Sequence, residues 1–381
     1  MKYIRKFNST QERDAALANV SFDVLAGVVS GDTITIEIHE GTPVVDYSIP
    51  FYVENITNEE ETLTIAGCDW SEQGDYLEIP VEISTDGTAW TTFGTTGATP
   101  LTRTLNPGDK VYLRATTNTW YIEDVTNEAS CSIFGVSKVG GNIMSLLYGG
   151  NFTNLFSYIT DDYNENIVLR DASELILPAT TLTNECYAWM FYNCISLTTT
   201  PTLPATTLDD GCYIGMFECC ESLTAAPELP ATSLGVDCYS GMFRDCTSLT
   251  TAPALPATTL ATSCYQQMFR NCSSLTTAPE LPATTLAENC YESMFSGCSS
   301  LTTAPVLSAT TLVDGCYFSM FAYCTSLNSV TTYTNSISAT NCLTNWLDNV
   351  AATGNFYNLG SATYPSGPSG IPTGWTEHTS L

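Results

Sequence analysis

Between Leu175 and about Val350 the apolar positions return on a fixed beat. A cysteine stands at Cys186, Cys212, Cys238, Cys264, Cys290, Cys316 and Cys342, 26 residues apart each time. Around it one phrase recurs: Leu255-Pro256-Ala257-Thr258-Thr259-Leu260, Cys264-Tyr265, Met268-Phe269, Cys272, then Leu275-Thr276-Thr277-Ala278-Pro279. It is written six times, with a seventh, degraded copy. A fixed period of about 20–50 residues marks a repeat architecture, in which a single unit cannot bury its apolar face alone and must stack on its neighbours.

Each copy has two halves. In the first, Cys264, Tyr265, Met268, Phe269 and Cys272 are spaced as on one face of a short helix. Asn193, Asp245, Asn271 and Gly297 precede the second cysteine and suit a helix end that needs positive φ. Two helical turns are unstable in water, so neighbouring copies must hold them. The second half, Leu275 to Ala278, is short, β-branched and closed by Pro279, as a strand ending at a corner would be. The predicted fold is therefore mainly β with short helices: an α/β solenoid with parallel strands on one face and helices on the other. Between the faces lies a ladder of Cys186, Met190, Phe191 and Cys194, repeated as Cys264, Met268, Phe269 and Cys272. Burying one such large side chain contributes roughly 1.5–3 kcal/mol.

The rest of the chain follows other patterns. In residues 1–48, Ser9-Thr10-Gln11-Glu12 has capping-box spacing and predicts a helix to about Asn19, and Thr33 to Glu37 alternates like a strand. Residues 49–140 read as all-β. Short alternating runs at Val53, Leu63-Thr64-Ile65, Tyr76 to Ile79, Val81-Glu82-Ile83, Trp90 to Phe93 and Val111 to Arg114 are separated by Asp86-Gly87 and Asn106-Pro107-Gly108-Asp109. This spacing predicts a small immunoglobulin-like sandwich with Trp90 in its core. Residues 141–381 hold the repeats and their caps. Leu155-Phe156 would stand in for the Met-Phe pair at the leading end. At the far end Trp346-Leu347 and Val350 replace Met-Phe and the second cysteine. The remainder would lie over that end, pinned by Phe356, Tyr357 and Trp375. The acidic run Asp161 to Asn166 suits a solvated turn, or a calcium site lacking the usual loop glycine and closing glutamate.

Composition narrows the function. Forty acids against eleven bases give a net charge of −29, with only 13% of residues charged. Such a surface repels phosphate backbones and anionic membranes, so neither nucleic-acid binding nor membrane insertion is expected. Among sixteen cysteines, only Cys68, Cys131 and Cys219 fall outside the two repeat columns. Small buried thiols suit a core column. Spacing alone leaves bridges between copies open, whereas a zinc pattern with paired histidines is absent. With two histidines, His39 and His378, and no phosphate loop or nucleophile elbow, the chain reads as non-enzymatic and free of cofactors. Carboxylates such as Glu185, Asp209, Asp237, Glu288 and Asp314 recur just before the predicted helices, where they need no catalytic role.

Two surfaces could bind a partner. The strand face offers Thr198-Thr199, Thr250-Thr251, Thr276-Thr277 and Thr302-Thr303, a ladder suited to a repetitive polymer or simply to solvent. The other side changes from copy to copy, at Trp189, Gln266-Gln267 and Phe318-Ser319 for example, and carries Arg244 and Arg270.

The repeat resembles the leucine-rich repeats of Bacteroides surface-protein-A type, with Cys-Tyr and Met-Phe pairs where the commoner form has Ala-Phe. Asn142 to Gly149 and Ser369 to Thr376 resemble the segments that open and close such arrays. That resemblance implies a surface protein preceded by sandwich modules. The opening Met1 to Asn8, however, has charges without an apolar stretch and does not read as a secretory leader. Lys2 to Ser9, followed by Glu12-Arg13-Asp14-Ala15-Ala16, resembles N-terminal segments of structural proteins of crAss-like tailed phages of Bacteroidales. Together the two resemblances imply a virion surface protein. Its arm would meet other virion proteins and its repeats would face host-surface polysaccharide or protein, as a monomer or a homo-oligomer. A bacterial cell-surface adhesin and a capsid decoration protein without a receptor are the alternative expectations.

Overall fold

The structure, a computed structural model, describes residues 2–6, 29–30, 33–37, 49–69, 80–96, 99–115, 129–143, 146, 152–157 and 168–380. All regular elements among them are strands, no closed barrel forms, and no α-helix is present. The predicted helix after Ser9, the run Tyr76 to Ile79, most of the opening segment Asn142 to Gly149 and the acidic turn Asp161 to Asn166 lie outside the described residues.

Near the N-terminus, β1 (Lys2–Lys6), β2 (Val29–Ser30) and β3 (Thr33–Glu37) form an antiparallel sheet in the order β1-β3-β2. Next come β4 (Tyr52–Glu54), β5 (Glu61–Asp69), β6 (Pro80–Ser84), β7 (Thr91–Thr95), β8 (Leu101–Leu105), β9 (Lys110–Ala115), β10 (Ala129–Phe134), β11 (Lys138–Asn142) and β12 (Asp171–Ile176). They form a three-stranded sheet β10-β5-β8 and a six-stranded sheet β12-β11-β4-β9-β6-β7. Alternation sends Val81, Ile83, Val111 and Leu113 into the same core as Leu63, Ile65 and Ile133 of the smaller sheet. Gly87 and Gly108 close tight turns at φ 74° and 83°, which explains the Asp-Gly and Pro-Gly signals.

Trp90 is not in this core. It is half-buried, with the Arg114 guanidinium 4.2 Å from its ring centre, while Arg114 pairs with Glu82 at 2.6 Å. The hairpin β6–β7 forms the outer edge of the larger sheet, so alternation there leaves the indole an ion-paired arginine as its partner.

The larger sheet runs on into the repeats. β11 pairs in parallel with β12, and Asp171 of β12 bridges in parallel to Thr199 of the first copy. Lys138 ties this junction, with Glu54 at 3.9 Å, Asp171 at 3.8 Å and Glu174 closer still. The rings of Phe51, Phe156 and Phe191 stack in series, so one apolar core extends from the first module into the array.

Where the sequence predicts a short helix in each repeat, the chain makes a row of tight turns instead. Positive φ recurs at every fourth residue, as at Glu185 (52°), Trp189 (50°) and Asn193 (60°), and at the same three places in the later copies. Amide donors alternate in destination. Ala188 and Met190 donate to Glu185 and Tyr187 in their own copy, whereas Tyr187, Trp189 and Phe191 donate to Cys212, Ile214 and Met216 of the next. A helix would keep all these bonds to itself. Left-handed geometry costs about 1–2 kcal/mol at a non-glycine residue. The compensation is a hydrogen-bonded seam to the next copy at every second residue, and Asn, Asp, Gly and Ser hold most of these positions.

Inside, every column stacks on itself. Phenylalanine rings from Phe191 to Phe321 lie 5.3–5.7 Å apart, and tyrosine rings from Tyr187 to Tyr317 lie 5.7–6.1 Å apart. The ladder residues Cys186, Met190, Phe191, Cys194, Cys264, Met268, Phe269 and Cys272 are all buried. The fourteen cysteines from Cys186 to Cys342 are free thiols. The second column is hydrogen-bonded: Cys272 donates to the Phe243 carbonyl at 3.1 Å, and Cys298 to that of Phe269 at 3.1 Å. A cysteine fits there because it is small, apolar and still a weak donor.

The far end closes with β13 (Ser329–Thr332), β14 (Gly354–Asn358) and β15 (Trp375–His378), a parallel sheet in that order. Phe356 and Trp375 are buried there, Tyr357 stacks on His378, and Trp346 donates its indole N–H to Gly370 O at 3.0 Å.

Candidate functional site

The predicted binding residues fall on two separate surfaces of the array. Thr198, Thr199, Thr250, Thr251, Thr276, Thr277, Thr302 and Thr303 are all exposed. One-residue parallel bridges run along this row, from Thr251 to Thr277 and from Thr303 to Ser329. A second exposed row escapes the sequence reading. Thr206-Thr207, Thr232-Ser233, Thr258-Thr259 and Thr284-Thr285 lie at the other corner of each copy, with bridges from Thr181 to Thr207 and from Thr207 to Ser233. Its repetition is visible in the chain as the Pro-Ala-Thr-Thr phrase of most copies.

Trp189, Arg244 and Arg270 lie on the row of turns. Glu218 is buried there and pairs with the Arg244 guanidinium, which also stands 3.5 Å from Asp245. The Gln267 side-chain carbonyl accepts from Arg244 and from Arg270, at 3.3 Å each, and so joins the two bases. The Trp189 indole lies over Gly215, where an added Cβ would collide with it and would also meet Glu218 Oε2 at 3.3 Å. Trp189, Glu218, Arg244, Gln267 and Arg270 therefore form one polar strip across four copies. Glu218 and Arg244 stand 26 residues apart, the period itself, so aligning the copies column by column would have paired them.

Oxygens of Glu218 and Asp245 approach the Cys219 sulfur closely enough to share a cation. The Arg244 guanidinium already occupies that role between the two carboxylates. Burial and the neighbouring carboxylates push the Cys219 thiol up to about 12, which disfavours it as a nucleophile. Burial also holds the Glu218 carboxyl above its ordinary value, while Arg244 pulls it back down.

A third feature lies near the C-terminal end of the same face: a cavity of about 300 Å³ lined by Glu288, Asn289, Glu292, Asp314, Gly315, Phe318, Thr340 and Asn341. Asp314 Oδ1 accepts the Thr340 amide at 2.7 Å. Phe318 is half-buried in its wall.

No helix among the described residues is long and apolar enough to cross a membrane. A scan against protein-family models, a search of curated proteins and a search of solved structures each return no match.

Proposed function

We propose that this chain is a non-enzymatic attachment protein. On this reading its repeats form a solenoid of leucine-rich type, the 49–140 module is an immunoglobulin-like spacer, and the N-terminal segment docks on other proteins of a virion. The array then faces outward, toward polysaccharide or protein on a host surface.

One observation carries the reading. The interior of the array is the same in all six full copies, built of thiols, methionines and rings, while its turn face changes from copy to copy. A repeated core makes a stiff support, and individual exposed side chains on it are what recognition of a partner requires. Burial drives the core thiols away from reactivity, Cys264 and Cys316 up to about 12 for instance, which favours packing over chemistry.

The test has two arms. Immunogold electron microscopy of purified particles should find the chain on their surface, and particles lacking residues 141–381 should lose adsorption to host cells. Particles without the protein would end the reading, and unchanged adsorption would reduce it to decoration without a receptor.

A further inference from the structure

We infer that the cavity around Phe318 is a binding site for a single pyranose ring of neutral or amine-bearing type. The inference rests on the attachment reading and names a ligand class for one place on that face.

The column containing Phe318 shows why the site is local. Its equivalents in the earlier copies are Ala188, Ile214, Ser240, Gln266 and Glu292, so only here does this column supply an aromatic face. The ring is half-buried, leaving one side for a ligand. Beside it Gly315 contributes no side chain, and the Asn289 amide oxygen leans across the vacated space, so close that a Cβ on Gly315 would collide with it. Phe318 and this amide line a space of about 300 Å³, at the small end of the range of ligand pockets and enough for one sugar ring.

The polar lining matches a polyol. Glu288, Glu292 and Asp314 are acceptors, and Asn289 and Asn341 are both donors and acceptors. The Thr340 amide holds one oxygen of Asp314, which fixes the direction of the other. Neighbouring hydroxyls can donate to these carboxylates in pairs while the ring's C–H face rests on Phe318. The described residues place no arginine or lysine in ion-pair contact with any of the three carboxylates, so a uronic or sialic acid would be repelled. An ammonium substituent would be favoured. A site this open binds weakly by itself, in the millimolar range, and gains through many copies on one particle.

Saturation-transfer NMR and calorimetry on the full chain would test this, with methyl hexopyranosides, glucosamine and glucuronic acid as probes. Neutral or amino sugars should bind and glucuronic acid should not. Phe318→Ala should weaken binding at least about tenfold and Glu292→Gln about threefold, whereas Glu228→Gln, at an exposed carboxylate outside the cavity, should change nothing; circular dichroism would establish that each variant is folded. The inference is overturned if no pyranose binds, if glucuronic acid binds equally well, if Phe318→Ala binds like the parent, or if calcium alone fills the site without sugar. Failure here with intact adsorption removes the pocket and leaves the attachment reading. Sugar binding by a chain that particles do not carry would do the reverse.

Discussion

The module of residues 49–143 and the repeat array hold themselves together in opposite ways. In the module each pairing is used once: Tyr52 faces Tyr112, Val53 faces Val111, and Glu82 faces Arg114 across antiparallel registers. In the array each residue's main partner is its own equivalent one period on, so Phe243 stacks on Phe269 and Phe269 on Phe295. The difference concerns how faults are carried. A left-handed residue or an unpaired hydroxyl is a single defect in the module, but in the array it recurs in many copies. It persists because a favourable seam recurs with it. The buried hydroxyls of Tyr213, Tyr239 and Tyr265 have no partner, and the stacked rings compensate for them.

The strongest way to break this comparison is to change the count. Excising residues 254–279, one period of 26, should leave a folded array with one copy fewer, read as an intact cooperative melt by circular dichroism. Removing residues 254–278 instead should abolish the fold, because each donor beyond the cut would face the wrong acceptor. A period-length excision that unfolds the protein would show that the array is not built of interchangeable units.

Alkali should act on the array next most strongly. Burial raises the thiols of Cys186, Cys264 and Cys316 to about 12 from an ordinary value of 9.0. Because the unfolded thiols ionise first, the stability these columns contribute is whole below about pH 9 and falls as pH rises toward 12. Each tenfold difference in proton affinity between the folded and unfolded thiol is worth about 1.4 kcal/mol. Urea unfolding at pH 8, 10 and 11 should show a steady loss, shallower in a Cys264→Ala, Cys290→Ala variant.

A smaller effect separates a central ring from an edge ring. Phe269→Ala, fully buried between two copies, should cost about 3–5 kcal/mol. Trp90→Ala, which loses a half-exposed indole and its arginine contact, should cost about 1–2 kcal/mol, with both read from urea midpoints. Equal losses would contradict the placement of Trp90 outside the core. Smallest, and opposite in sign, Tyr239→Phe should stabilise the array by about 1 kcal/mol by removing a buried hydroxyl that has no partner.

From the chain alone, the 26-residue period and the identity of the inward columns were legible, because burial of a repeated apolar phrase leaves few ways to stack it. The short strand Tyr52–Glu54 marks the opposite limit in the module, where no repeat exists to say that β9 and β11 lie alongside it. Within a copy, the apolar offsets from Cys264 to Cys272 fit a helix of 3.6 residues per turn and a row of four-residue turns almost equally over so short a span. Only the destination of alternate amides, inward to the same copy or outward to the next, decided between them. The joining of Glu218 to Arg244, the Asn289 amide over Gly315 and the edge position of Trp90 were likewise settled by tertiary structure, since each depends on which residue of a neighbouring copy or strand stands beside it.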